Sequence, residues 1–135
     1  MLIGIVDFGL VILIWMTQLV VYPSFTYFSP ENLYTWHQKY TTAISSIVMP
    51  LMILQLSLHL FQMYDSFNWV RLVAFILIVM AWINTFFYAV PLHNKIEKNN
   101  DIINAATSLV AVNWYRTSFW SASFVIGLLD YLKSS

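Results

Sequence analysis

Trp69 to Val90 reads WVRLVAFILIVMAWINTFFYAV, 22 residues in which Arg71, near the start, is the only charge. A helix rises 1.5 Å per residue, so about 20 such residues cross the roughly 30 Å hydrocarbon core of a bilayer. Polar side chains are confined to Asn84 and Thr85, too few to give the stretch a wet face. It reads as a membrane helix, and Pro91 marks its expected end.

Working outward, similar stretches fill the chain. A first helix is expected over about Ile3–Tyr22 with Pro23 beginning its exit, a second over Trp36–Met63, and a fourth over Asp101–Leu132. Between Lys39 and Asp65 the second carries no formal charge, and Pro50 lies inside it. Ser29-Pro30-Glu31 has the form of a helix start, with Ser29 as N-cap and Pro30 in the first turn. The expected fold is an all-α membrane protein: one four-transmembrane-helix antiparallel bundle over residues 1–135, with a short interfacial helix in loop 1. The first stretch lacks the basic leader and small-residue cleavage site of a signal peptide, so it is read as a retained helix.

Composition agrees. Sixty per cent of the 135 residues are hydrophobic and 9% charged, with a mean hydropathy of +0.71; soluble domains carry roughly 25% charged residues. Six basic and six acidic residues cancel, leaving no field for nucleic acid. Cysteine is absent, which excludes disulfides and thiolate-ligated metal or iron–sulfur sites. The implied partner is the lipid bilayer, with a multi-pass location in a membrane.

Two patterns look repeated. The first and third helices both close on an apolar run and a proline (Val20-Val21-Tyr22-Pro23; Tyr88-Ala89-Val90-Pro91). The second and fourth both begin with an aromatic–basic–hydroxyl cluster (Trp36, Lys39, Thr41, Thr42; Trp114, Arg116, Thr117, Ser118). Two related hairpins would produce this, and so would coincidence.

Depth along each helix locates candidate function. Gln18, Asn84 and Arg116 each lie about 5 Å from their helix midpoints on the loop 1/loop 3 side, with Ser45 and Ser46 near the same level. Arg116 is the only charge in that layer, and charge inside hydrocarbon is costly unless partnered or used. Asn113, three residues before it, shares its helix face. One reading is a pocket in which Arg116 holds an anionic or carbonyl group of a lipid-soluble molecule; the other is a structural hydrogen-bond layer. Nearer loops 1 and 3 lie His37, Tyr40, His93 and Asn94, and the two histidines are candidate ligands for a metal ion or a haem iron. At the opposite end, Asp7 and His59 fall at comparable depth and are expected to pair. The chain could equally be a non-catalytic accessory subunit working as a homo-oligomer, with the small residues Ser118, Ser121, Ala122, Ser123 and Gly127 facing a partner.

Several segments carry a resemblance: Tyr22-Pro23-Ser24-Phe25 with Trp36-His37-Gln38-Lys39-Tyr40, Pro91-Leu92-His93-Asn94-Lys95-Ile96, and Asn113-Trp114-Tyr115-Arg116-Thr117-Ser118-Phe119-Trp120. Together they resemble a group of small four-helix bacterial membrane proteins distantly similar to the anthrone-oxygenase-like family. The resemblance implies a membrane protein that binds or acts on an aromatic or lipid-like molecule, oxidoreductase-like in character. Pro91, Asn94, Trp114 and Arg116 would be its characteristic residues. The fourth helix has no histidine, whereas the more enzyme-like relatives carry one near the arginine.

Overall fold

A computed structural model describes all residues from Met1 to Ser135, and nearly all of them are helical. Four rods account for the chain. The first comprises α1 (Leu2–Met16), a π-helical turn (Thr17–Val21) and α2 (Tyr22–Phe25). The second is a single helix, α3 (Pro30–Asp65). The third comprises α4 (Trp69–Asn84), a second π-helical turn (Thr85–Ala89) and α5 (Val90–Glu97), and the fourth is α6 (Ile102–Ser134).

Three expected boundaries are corrected. Pro23 and Pro91 do not end their helices, because each is preceded by a π turn. There the N–H of Tyr22 bonds the carbonyl of Thr17, and that of Val90 the carbonyl of Thr85. In an α-helix a proline ring collides with the carbonyl four residues back. The wider π turn relieves that crowding, so the rods run on to Phe25 and Glu97. The short helix expected in loop 1 is not separate either. Ser29 caps it as read from sequence, its hydroxyl accepting the Asn32 N–H at 3.4 Å, but the helix continues without a break through Trp36 and Pro50 to Asp65.

The two π turns make the internal repeat more specific than the sequence did. In each rod a threonine opens the π turn, bonds the carbonyl four residues back at 2.8 Å (Thr17 to Leu13, Thr85 to Ala81), and precedes the proline by six residues. Each such rod is followed by one long helix.

Neighbouring rods pack in opposite directions. Asp7 meets His59 while Phe25 meets His37 and Tyr40; Asn68 meets Asp130 while Thr85 meets Arg116. Leu2–Phe25, Pro30–Asp65 and Trp69–Glu97 are long and apolar enough to cross a membrane. The fourth rod is long but carries Asn113, Arg116, Thr117 and four serines along its middle and end, so its hydropathy alone does not qualify it.

The burial pattern is inverted relative to a water-soluble bundle. Twelve of the 29 buried residues are polar or charged, while Ile5, Phe8, Leu19, Ile53, Ile83 and Leu129 are among many exposed apolar side chains. Water would not tolerate that surface; hydrocarbon requires it. Inside, one apolar cluster (Tyr22, Phe25, Leu33, Ile96, Leu109 and neighbours) fills the loop 1/loop 3 end. A second (Val6, Leu10, Ile14, Met52, Ala81, Trp120) fills the middle.

At the loop 2 end, Asn68 caps α4 by accepting the N–H groups of Val70 (2.6 Å) and Arg71 (3.2 Å). Its amide and the Arg71 guanidinium both donate to Asp130, each at 2.8 Å. At the other end the turn into α6 places Asn99 and Asp101 in the left-handed region (φ 53° and 50°), which short polar side chains tolerate best.

The hydrogen bonds from Arg71 and Asn68 hold the Asp130 carboxyl below the usual carboxylate range. Stability from this clasp is therefore complete above the ordinary value of 3.8 and is lost as pH falls through the lowered folded value. Asp130→Asn should lower the melting temperature at neutral pH and flatten its decline in acid. Parallel acid curves for the two proteins would show that the clasp does not contribute.

Candidate functional site

Arg116 sits between the two apolar clusters, 6% exposed, with no carboxylate in ion-pair range. Neutral oxygens take that place. Asn113 Oδ1 accepts from Nε at 3.0 Å and from Nη2 at 2.5 Å, Tyr22 Oη accepts from Nη2 at 3.0 Å, and Thr85 Oγ1 lies at a long 3.4 Å from Nη1. The Asn113 fork comes from helix geometry, since residues three apart lie on one face.

Behind Arg116 the layer is closed. Asn113 Nδ2 donates to Gln18 Oε1 at 3.0 Å, Thr117 Oγ1 lies 3.3 Å from the same oxygen, and Gln18 Nε2 donates to the Val110 carbonyl at 3.2 Å. Gln18 and Arg116, expected at one depth, are joined through Asn113, expected on the Arg116 face. Asn84 is buried at 7% exposure, but its Oδ1 has no partner and Thr85 takes its place beside Arg116. Ser46 is exposed and bonds its own helix, and Ser45 is exposed on the wall of a cavity.

From Tyr22 a second chain of bonds runs outward. Its hydroxyl is 2.9 Å from His93 Nε2, His93 Nδ1 is 2.7 Å from His37 Nε2, and His37 Nδ1 is 3.9 Å from Glu97 Oε1. Arginine can only donate, so the Tyr22 oxygen accepts from Arg116, and it has both its proton and a second lone pair left for His93. The Glu97 carboxylate facing His37 Nδ1 favours a proton on that nitrogen; with both rings neutral, His37 Nε2 then accepts from His93 Nδ1, and His93 Nε2 accepts from the phenol. Glu97 is exposed and also accepts from Thr41 at 3.1 Å.

The structure thus brings His37 and His93 together, but as a hydrogen-bonded pair. Three of their four ring nitrogens are engaged with each other or with Tyr22, and no group of three or more His, Asp or Glu side chains able to hold a metal ion forms. This arrangement does not fit the metal ion or haem iron considered from sequence. Both rings would have to break the bonds that order them.

A cavity of about 250 Å³ separates α3 from the other three rods on this side. Arg116, Tyr22, Thr85, Tyr40, Asn94 and Trp120 border it, and 13 of its 21 lining residues are hydrophobic. Its polar lining includes two under-used donors, beside the exposed side chains of Ser45, Asn94 and Glu97 at its edge. Arg116 Nη1 has only its long contact to Thr85, and the indole N–H of buried Trp120 has no partner. Tyr40 stacks edge-on against Phe25, with ring centres 5.3 Å apart, and its hydroxyl lies beside those of Tyr22 and Thr17. Asn94 is exposed at the mouth.

Tyr22, Thr85, Thr117, Trp120 and Glu97 were not picked out from sequence as site residues. Tyr22, Thr85 and Glu97 belong to or flank the π-turn rods, and the shared threonine–π turn–proline spacing was the signal that could have found them. No protein-family model, curated protein or solved structure matches this chain.

Removing Asn113 strands a buried guanidinium, and leaving such a charged group unsatisfied costs upwards of about 3 kcal/mol. Asn113→Leu should therefore lower thermal stability in detergent strongly, and Asn113→Leu with Arg116→Met should recover much of the loss. A double variant no more stable than the single one would show that Arg116 is not the group Asn113 serves.

Proposed function

We propose that this chain is an integral membrane protein whose four rods all cross the bilayer, and that it binds a small lipid-soluble molecule through an acceptor oxygen placed on Arg116. The fourth crossing is supported by packing: α6 lies against α1 and α4 along their lengths, so it shares their depth. A location in a bacterial inner membrane, as a multi-pass protein, belongs to the same proposal.

One observation carries the binding reading. A buried guanidinium without a counterion faces a mostly apolar cavity, and the unpartnered donor of Trp120 lies on the same wall. Protein interiors rarely leave donors unpaired. A ligand offering a carboxylate, phenolate or carbonyl oxygen satisfies the open donor of Arg116, and its apolar part matches the remaining wall. The cavity is below the roughly 300 Å³ at which drug-sized pockets begin, which favours a single compact ring or short chain over a whole lipid.

The resemblance to the anthrone-oxygenase-like family enters here as a proposal of kinship. Of the four characteristic residues, Arg116 and Asn94 line the cavity. Trp114 lies outside it, edge-on to Trp15 with ring centres 5.8 Å apart, and Pro91 belongs to the turn that positions α5. Shared ligand placement is what such kinship predicts; a shared reaction would need a different histidine arrangement from the one present.

Purified protein in a neutral detergent, titrated with benzoate or 1-naphthol in a calorimeter, tests the reading. Saturable binding should weaken at least tenfold in Arg116→Gln, while Arg71→Gln at the opposite end leaves it unchanged. Equal affinity in wild type and Arg116→Gln would sink the proposal.

A further inference from the structure

The loop 2 end contains a second cavity, of about 460 Å³, bounded by α1, α3, α4 and α6 and remote from Arg116. Asp7 and His59 stand on its wall, 3% and 2% exposed. His59 Nε2 lies 3.0 Å from Asp7 Oδ2 and 3.2 Å from Oδ1, and Gln55 Nε2 donates to Oδ1 at 2.7 Å. We propose that this cavity is a binding site for a lipophilic ammonium ion, held by Asp7 and His59.

Three features define the ligand class. The first is charge. Asp7 and Asp130 border the cavity together with the Arg71 guanidinium and the α-amino group of Met1; Arg71 is engaged by Asp130 at 2.8 Å, and neither cation lies within ion-pair distance of Asp7. With His59 counted neutral, the Asp7 carboxylate is the buried charge that has no cation beside it. A buried charge needs a partner.

The second is hydrogen-bond polarity. A carboxylate offers about four acceptor positions, and two donors occupy Asp7, so acceptor capacity remains on Oδ2. The bond to Asp7 fixes the His59 proton on Nε2 and leaves Nδ1, which has no protein partner, as an acceptor. Both groups ask for an N–H donor, the reverse of the Arg116 cavity.

The third is shape. Phe8, Phe124 and Tyr131 supply aromatic wall, which favours a cation in an otherwise apolar space. Gly127 lies on the same wall. A β-carbon built there would meet nothing nearer than Asp7 Oδ2 at 4.0 Å, so the missing side chain leaves the approach to the carboxylate open. The volume falls within the range of small-molecule sites.

The site does not depend on the Arg116 reading, and the test separates them. The full chain in a neutral detergent is titrated with 2-phenylethylammonium and with its neutral counterpart 2-phenylethanol. The ammonium should bind saturably and at least tenfold more tightly than the alcohol. Asp7→Asn should abolish that preference, Gly127→Leu should weaken ammonium binding at least tenfold by filling the approach, and Arg116→Gln should change neither. Melting curves identify any variant that fails to fold; should Asp7→Asn be one, Gly127→Leu decides. Equal affinity for ammonium and alcohol, a preference that survives Asp7→Asn, undiminished binding in Gly127→Leu, or tighter binding of benzoate than of ammonium at this end would each overturn the proposal.

Discussion

The interior of this protein is organised by the need to solvate one guanidinium without a carboxylate. Arg116 is desolvated by the bundle, so oxygens of Asn113, Tyr22 and Thr85 surround it. Each of those groups acquires a demand in turn. Asn113 must aim its oxygen at the arginine, which turns its amide toward Gln18. Tyr22 must accept, and its remaining proton and lone pair join it to His93 and through His93 to His37. A single cation thereby stands at the centre of a hydrogen-bonded network that reaches all four rods.

The π turns make that possible. Thr85 opens one of them and touches Arg116; Tyr22 directly succeeds the other. A π turn inserts one residue into a helix and turns the remainder of the rod about its axis, and such turns recur where side chains must be re-aimed. The prolines benefit from the same widening, so that the rods extend to Phe25 and Glu97 and bring His93 and Glu97 beside α3. The two halves of the chain share this device, yet use it differently: one contributes Gln18 and Tyr22 to the site, the other Thr85 and His93.

The two ends of the bundle are of opposite character. Around Arg116 the cavity centres on a buried guanidinium with an open donor; around Asp7 it centres on a buried carboxylate with open acceptor capacity. Between them lies the apolar cluster of Leu10, Ile14, Met52, Ala81 and Trp120. Each end is internally braced, by Gln18 and Asn113 on one side and by Gln55 on the other. This separation lets each end be altered without the other, which is why substitutions at Arg116 and at Asp7 can be told apart.

What was legible in the sequence was material and depth. The apolar runs dictated membrane helices, and counting residues placed Gln18, Asn84 and Arg116 in one layer and Asp7 level with His59; Gln18 and Arg116 are joined through Asn113, and Asp7 meets His59. What only the tertiary structure decided was azimuth: that Thr85 and not Asn84 faces Arg116, that Tyr22 belongs to the site, and that two histidines bond each other. The reason is geometric. An extra residue in a helix shifts depth by only 1.5 Å but rotates the remainder of the rod by about 100°, so an unseen π turn leaves the layers in place and changes which side chains face one another.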